Sequence, residues 1–345
     1  MEKINIRSLS EEELQYWVGK NNLPRYRFIQ INEWLWKIGA RSFSEMSNLP
    51  LTLREKLENE FFIDNITIFK ILESKDRTIK VIMMLYDKKS YIEGVLIPQK
   101  GRITACLSVQ LGCPVRCNFC MSGKMHFIRN LTTGEIFQQA LELNFLSEKK
   151  FNSKITNIVF MGMGEPLLNL NNLLCSIEKI KINKFLNIAY DKITISTVGI
   201  PNKLKLLVEK GIKVKIAWSL HSPFDYVREK LIPLARYFKI NDLIPYFRKL
   251  SEIKPVTIEY VMIKDVNDTP KDLRELLRII SKFNCKVNLI PYNKIKDLPF
   301  EPSSFNRIEY FYNELSKKNF IVKIRKSRGA DINGACGQLV YQNIN

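Results

Sequence analysis

No apolar run in this sequence is long enough to cross a bilayer. The longest, such as Val81–Leu85, fall far short of the roughly 20 residues a spanning helix needs. The first residues, Met-Glu-Lys-Ile-Asn-Ile-Arg-Ser, are too polar to read as a signal peptide. These two absences point to a soluble, cytoplasmic chain with no membrane partner. Internal repeats and low-complexity tracts are also absent, which argues against a solenoid or a disordered array. Acidic residues are in short supply: 35 Asp and Glu face 54 Lys and Arg, a net charge of +19. Such a surplus favours a polyanionic partner, most simply RNA or DNA. The alternative is compositional drift, since the chain is also rich in Ile and Asn. Cysteine is sparse as well, with seven in the chain, yet four fall between Cys106 and Cys120. In a reducing compartment such clustering favours metal binding or catalysis over structural disulfides.

The 345 residues, 46% of them hydrophobic, suit two or so domains, or one large barrel with additions. Residues 1–62 read as a helical accessory domain. Ser10 and Glu13 have capping-box spacing. Tyr26, Ile29, Trp34 and Trp36 suit an amphipathic helix that starts near Pro24. Arg25, Arg27, Lys37, Arg41, Arg54 and Lys56 make this region basic, which fits either an RNA-binding module or a solvated helical domain packed on a neighbour. Residues 63–100 read as a β-rich connector, with strand-like alternation over 66–72, 78–86 and 91–97. From residue 101 to 345 strands and helices alternate. Apolar strands are expected at 157–161, 193–197, 214–220, 256–262, 287–291 and 321–324. Helices are expected around 133–147, 171–184, 203–210, 240–252, 270–283 and 304–318. The pattern implies an α/β fold on a parallel sheet, open or closed, with ligand residues at the carboxyl ends of its strands.

The densest signal is Cys113-x3-Cys117-x2-Cys120. A structural zinc takes four ligands, and this loop has three, with His126 the only imidazole near it. A [4Fe–4S] cube can take three thiolates from one compact loop and leave one iron open. Phe119 is an apolar neighbour suited to shielding it. The open iron can chelate the amino and carboxylate groups of S-adenosylmethionine (SAM). The fourth ligand is then a small molecule, and the cofactor carries the radical chemistry. Zinc and unrelated thiols are the alternatives.

Other candidates follow at strand ends. In Met161-Gly-Met-Gly-Glu-Pro166, Gly162 and Gly164 permit close backbone approach, and Glu165 suits an amino group of the cofactor. Ser196, Ser219, His221 and Asn293 fall at the carboxyl ends of later strands, where a barrel would converge them. The alternative is that Ser and Asn cap helices and His221 is structural. Cys336 lies in a small-residue loop beside Arg325, Lys326 and Arg328, a setting that favours a thiolate. Cys106 lies outside the cluster spacing and is a candidate second reactive thiol. Cys175 and Cys285 read as core.

These residues together resemble the RlmN/Cfr group of radical-SAM RNA adenosine methyltransferases. The likeness rests on Tyr26-Arg-Phe28, Phe43–Met46, Glu93–Pro98, Cys106–Cys120, Gly123-Lys-Met125, Arg129-Asn-Leu131, Gly162–Pro166, Ser219-Leu-His221 and Ala335–Leu339, and so covers nearly the whole chain. It implies a partial (β/α)6 radical-SAM barrel with an N-terminal accessory domain. For the RlmN branch it implies methylation of carbon 2 of adenosine 2503 in 23S rRNA, and of adenosine 37 in tRNAs. The Cfr branch modifies carbon 8; the stretch from Glu93 to Cys106 looks like the carbon-2 branch. The implied cofactors are one [4Fe–4S] cluster and two SAM molecules per turnover. By the same resemblance, Cys336 takes a methyl from one SAM, and a radical from the second SAM activates that methyl for addition to adenine. Glu93 accepts a proton. Cys106 then attacks Cys336 and releases the product, leaving a transient Cys106–Cys336 disulfide. Cluster ligands are Cys113, Cys117 and Cys120. SAM contacts are Gly164, Glu165, Ser196, Ser219, Leu220, His221 and Asn293. An electron donor such as flavodoxin or ferredoxin, and a monomeric state, complete the expectation. Pro114, His126, Ser222 and Leu234-Ala235 depart from the family's usual residues, which puts fine substrate preference in doubt. Other readings are a carbon-8 methyltransferase, a radical-SAM enzyme acting on something other than RNA, and a non-enzymatic iron–sulfur RNA-binding protein.

Overall fold

Ser10 opens the first helix, Glu11–Lys20, as its spacing with Glu13 predicts. Its hydroxyl accepts the Glu13 N–H at 3.1 Å, and the Glu13 carboxylate accepts the Ser10 N–H at 2.7 Å. The computed structural model describes residues 3–296 and 298–339. Within it, the expected helix near Pro24 divides. An α-helix over Tyr26–Asn32 runs into a wider, π-type turn over Glu33–Ile38, which stops at Gly39 with φ +83°. The widening turns Leu35 and Trp36 inward, and Trp36 meets Phe137 edge-on with ring centroids 5.4 Å apart. Tyr26 and Ile29 are left facing solvent.

Ten strands form one sheet. We number them β1 Thr67–Glu73, β2 Ile79–Met84, β3 Tyr91–Gln99, β4 Arg102–Cys106, β5 Asn157–Phe160, β6 Ile193–Thr197, β7 Lys215–Ser219, β8 Val256–Met262, β9 Cys285–Pro291 and β10 Ile321–Ile324. Their spatial order is their chain order, from β1 at one edge to β10 at the other, and the two edges do not pair. β1 to β4 are antiparallel, which makes the connector a meander. β4 to β10 are all parallel. Helices Thr133–Phe151, Leu170–Ile182, Pro201–Glu209, Ile240–Ile253, Pro270–Ile280 and Phe305–Lys317 connect them in turn. Six strand–helix units followed by a seventh parallel strand make an open, partial barrel.

β4 is the strand that sequence patterning does not foresee. It pairs antiparallel with its neighbour β3, as Pro98 with Ile103, and parallel with β5, as Ala105 with Ile158. Half of its pairing comes from a segment more than fifty residues away, and five residues carry too little periodicity to announce it. It sets Cys106 at a strand's carboxyl end.

The accessory helices are fastened to the barrel by buried polar contacts. Arg7 is fully enclosed, donates to the Ala40 carbonyl at 2.8 Å and faces Asp64 at 3.6 Å. Asp64 in turn accepts from Thr132 Oγ1 at 2.6 Å, at the start of helix Thr133–Phe151. Asn183 donates to the Trp36 carbonyl at 2.9 Å. No helix among the described residues is long and apolar enough to cross a membrane.

Candidate active site

The carboxyl ends of β4 to β10 surround one cavity of about 180 Å³, room for many water centres rather than one. Its wall includes Cys113, Cys117 and Cys120 from the loop after β4, and Gly162, Gly164 and Glu165 from the loop after β5. Ser196 joins them from β6, Ser219 and His221 from β7, Asn293 from after β9, and Arg325 from after β10. Cys336 of the C-terminal loop closes it. Most of the candidates scattered over more than 200 residues therefore meet, as parallel strands feeding one rim require. Three do not line it. Leu220 is fully buried with its side chain in the main core, and Cys106 and Glu93 lie behind the wall, 8% and 0% exposed.

The cysteine loop is held from two sides. Asn118 donates its backbone N–H to Leu231 O at 2.9 Å and its side chain to Lys230 O at 2.7 Å. Met121 N–H reaches Gly337 O at 2.7 Å, and Ser122 Oγ reaches Leu339 O at 2.7 Å. Gly123 is obligatory here, because a Cβ would sit 2.5 Å from the Cys117 carbonyl. Burial is the main force raising the thiol pKa of Cys113, to about 12, and of Cys117 and Cys120 as well. Charge on Cys120 raises Cys113 and Cys117 further, and charge on Cys113 also raises Cys117. Only a strongly positive centre reverses that preference. Among the described residues, no three His, Cys, Asp or Glu side chains converge on one point as a single metal ion needs. A cube does not need convergence, because each thiolate takes its own iron. His126 is exposed and outside the wall, so it is not placed to complete a zinc site with the loop. With Val115, Phe119, Val198 and Val261 as apolar lining, the donor set fits an iron–sulfur cube with one open iron.

Next to it, the loop after β5 leaves open space. Gly164 has φ +102°, and a Cβ there would meet Gln110 Cβ at 2.6 Å. Glu165 is buried and already receives Thr197 Oγ1 at 2.6 Å, Val198 N–H at 3.0 Å and Leu167 N–H at 3.0 Å. Burial raises its pKa, and these donors oppose the rise. Ser196 and Ser219 hydroxyls lie 3.2 Å apart on adjacent strands. His221 takes φ +56°. Its Nδ1 accepts the Val261 N–H at 3.2 Å, and its ring meets Phe119 edge-on at 5.1 Å. Burial, with the Arg228 charge second, drops its pKa to about 3, so the ring is neutral.

After β10 the chain folds back as a strap. Gly329 N–H reaches Asp76 at 3.1 Å, Asp331 accepts from Ser74 Oγ at 2.6 Å, and Lys80 Nζ reaches Asn333 O at 3.1 Å. Asn293 Nδ2 holds the Cys336 carbonyl at 3.0 Å. Cys336 is thus pinned at the cavity with its side chain exposed. Its charge reaches Arg325, whose pKa it raises more than any other group does, and also Cys106 and Cys120. Arg325 itself faces Glu259 at 3.5 Å. Burial first and Cys336 second push the Cys106 thiol up to about 12.

Sequence reasoning missed several groups. Glu259, anchored by Asn288 at 2.9 Å, sits mid-pattern in an apolar strand; a lone acid in such a run was the available signal. Lys80 pairs with Glu93 at 2.7 Å with both side chains buried, and a charge in the β2 pattern hinted at it. Arg228 is fully buried on helix Asp225–Leu231. Cys175 was expected in the core and is exposed. Leu173 and Ile177 carry the buried face of helix Leu170–Ile182, which turns Cys175 to solvent. Cys285 is buried as expected.

Comparison with known proteins decides the family. Residues 107–278 match the Radical SAM superfamily, and residues 4–63 match the ribosomal RNA large subunit methyltransferase N-terminal domain. A Flavobacterium johnsoniae protein is 39% identical over 342 residues, 98% of this chain and 97% of that protein. One from Thermosipho melanesiensis is 42% identical over 340 residues, 97% of this chain and 98% of its own length. Both are named "Probable dual-specificity RNA methyltransferase RlmN". The chain belongs to the RlmN family of radical-SAM RNA methyltransferases. A crystal structure of a radical SAM methyltransferase from Sphaerobacter thermophilus superposes with a TM-score of 0.89 at 36% identity, covering 97% of this chain and 99% of the other. RlmN membership implies a [4Fe–4S] cluster and SAM, the groups that the cysteine loop and the cavity fit.

Proposed function

We propose that this enzyme methylates carbon 2 of adenosine 2503 in 23S rRNA and of adenosine 37 in tRNAs, with Cys336 as methyl carrier and Cys106 as the thiol that resolves the adduct. The observation that carries the reading is Cys336 in the wall of the cavity that also holds Cys113, Cys117 and Cys120, with Cys106 buried at the carboxyl end of β4, the strand that leads into the cysteine loop.

Cys113, Cys117 and Cys120 hold the cluster. Gly164, Glu165, Ser196, Ser219, His221 and Asn293 surround SAM, and Leu220 contributes by fixing the backbone between Ser219 and His221. When bound, the cluster supplies an electron and SAM supplies both the methyl group and a hydrogen-abstracting radical, so two SAM molecules are consumed per turnover. Cys336 Sγ takes a methyl by displacement and presents its carbon to adenine, whose carbon 2 is too weak a nucleophile for direct transfer. Glu93 accepts the proton lost from the ring carbon. Once the radical adduct has given up one electron, Cys106 loses its proton and attacks the Cys336 sulfur; the sulfur–carbon bond breaks, the departing carbon takes up a proton to become the methyl group, and a Cys106–Cys336 disulfide is left that a reductant must reopen. The exposed Cys336 and buried Cys106 divide these roles: the carrier meets the substrate and the resolver waits behind it. The base is presented unstacked from a single-stranded loop, and the +19 charge makes RNA binding strongly salt-dependent. A flavodoxin or ferredoxin is the electron donor, and the enzyme acts as a monomer in the cytoplasm.

The test is a Cys106→Ala variant prepared with its cluster and mapped by mass spectrometry. An adenosine nucleotide joined to Cys336 through a one-carbon bridge is expected. Cluster-loaded protein that cleaves SAM without forming an adduct would refute the two-thiol route. Nucleoside analysis of RNA treated with the wild-type enzyme is expected to show 2-methyladenosine; 8-methyladenosine would move the chain to the Cfr branch.

A further inference from the structure

Arg228 is the largest buried cation that the chemistry above leaves without a role. It is 0% exposed, on the short helix Asp225–Leu231. Guanidinium carries five N–H donors. One nitrogen, Nη2, donates to the Val198 carbonyl, while Nε and Nη1 have no hydrogen-bond partner among the described residues. Such donors are rarely left unmet in a folded protein, and an uncompensated buried charge is costly.

The anions around it narrow what those donors face. The negative groups that act on Arg228 are, in order, Asp225, Cys117 and Glu165. Asp225 is engaged elsewhere, accepting the Ile240 N–H at 2.8 Å. Glu165 is engaged with Thr197, Val198 and Leu167. Cys117 remains, and it belongs to the cluster loop. The same short helix grips that loop: the Lys230 and Leu231 carbonyls accept from Asn118, the residue after Cys117. Arg7 offers a contrast. It too is buried with an unmet Nε, but Asp64 lies 3.6 Å away and two aromatic rings flank it at 5.7 Å. Arg7 has Asp64 as an ion-pair partner, whereas Arg228 has none within 4 Å among the described residues and is bonded through Nη2 to Val198, a wall residue of the cavity that the cysteine loop lines.

We propose that Arg228 is a positioning residue for the iron–sulfur group, donating Nε–H and Nη1–H to the sulfur face at Cys117 and stabilising the reduced, more negative state. Hydrogen bonds and nearby charge set iron–sulfur potentials, and a cation beside the cluster raises the potential. This rests on Cys113, Cys117 and Cys120 being the cluster ligands.

The experiment compares wild type, Arg228→Met and Arg228→Lys, each loaded with iron and sulfide and free of SAM, by redox titration followed by electron paramagnetic resonance. Arg228→Met is expected to lower the reduced-to-oxidised ratio at a fixed potential at least tenfold, a shift of about 59 mV for a one-electron couple. Arg228→Lys keeps the charge and is expected to shift less. A ratio changed under threefold, at wild-type iron and sulfide content, overturns the proposal. An unmoved potential with weakened SAM binding also overturns it, because the cation then serves the SAM carboxylate. If neither variant takes up a cluster, wild-type protein with 15N-labelled arginine decides. A 15N coupling in the reduced, SAM-free cluster that persists in Arg116→Lys and Arg325→Lys supports the proposal, and no coupling refutes it. Wild-type protein that takes up no iron would instead sink the cluster-ligand reading beneath it.

Discussion

Lys80→Met should destabilise the protein by about 3–5 kcal/mol, the usual cost of removing one partner from a buried ion pair. Lys80 Nζ lies 2.7 Å from Glu93 Oε1, with the two side chains 5% and 0% exposed. Methionine keeps the length of the chain and removes the charge, so Glu93 loses the Lys80 ammonium in the sheet between β2 and β3. The same ammonium holds the Asn333 carbonyl, three residues before Cys336, so the strap also loses an anchor, with about 1.5–3 kcal/mol typical of a charged hydrogen bond. These two losses overlap and do not add. The assay is urea denaturation of iron-loaded Lys80→Met, Glu93→Leu and the double variant, followed by tryptophan fluorescence and read as a double-mutant cycle. Replacing both partners by apolar residues should recover most of the loss, since well-packed apolar pairs often match buried ion pairs. A loss below about 1 kcal/mol in Lys80→Met, or a double variant as unstable as the two single changes summed, would show that the pair is screened and would refute the reasoning.

Three further outcomes follow from the same geometry. The His221 imidazole, with its pKa depressed to about 3, should stay neutral at pH 5 by 15N NMR; a midpoint near the ordinary 6.5 would refute its enclosure. Because the unfolded chain binds that proton first, the stability this residue contributes is present above about pH 6.5 and lost as pH falls toward 3. Gly164→Ala should cost roughly 1–3 kcal/mol in thermal unfolding and abolish SAM binding by calorimetry, because φ +102° and a Cβ 2.6 Å from Gln110 both oppose a side chain; wild-type SAM affinity would contradict the close approach. In native apoprotein, iodoacetamide should modify the exposed Cys175 and Cys336 well before the buried Cys106 and Cys285, whose thiols are pushed up to about 12; early labelling of Cys106 by mass spectrometry would show that the β4 end is open.

Local chemistry made much of the site legible. Cys113-x3-Cys117-x2-Cys120 is compact, so its spacing alone brings three thiols to one loop. Ser10 and Glu13 announce their helix because a capping box is made within one turn. The alternating pattern after residue 150 places strand ends, and strand ends of a parallel sheet converge, so Ser196, Ser219, His221 and Asn293 are expected at one rim, and they line one cavity. Long-range pairing hid the rest. β4 exists because β5 completes it. Arg228 looks like an ordinary surface charge in sequence, and Glu259 and Lys80 show only as lone charges in apolar strands, since their burial is made by distant segments. Leu220 shares a tripeptide with two wall residues and still lies in the core, just past the end of β7 where His221 takes φ +56°.

The sequence by itself determined the cofactor chemistry, the strand–helix alternation and the family, because each depends on residue type and spacing along the chain. Tertiary structure alone decided that Cys336 reaches the cluster cavity, that Cys106 waits buried behind the wall, and that Glu93 has Lys80 for a counter-ion. Cys106 and Cys336 are separated by most of the barrel in sequence. Cys336 returns to the end of the barrel where β4 delivers Cys106 because the parallel strands feed one cavity and the strap after β10 is tied back to the connector by Asp76, Asp331 and Asn333.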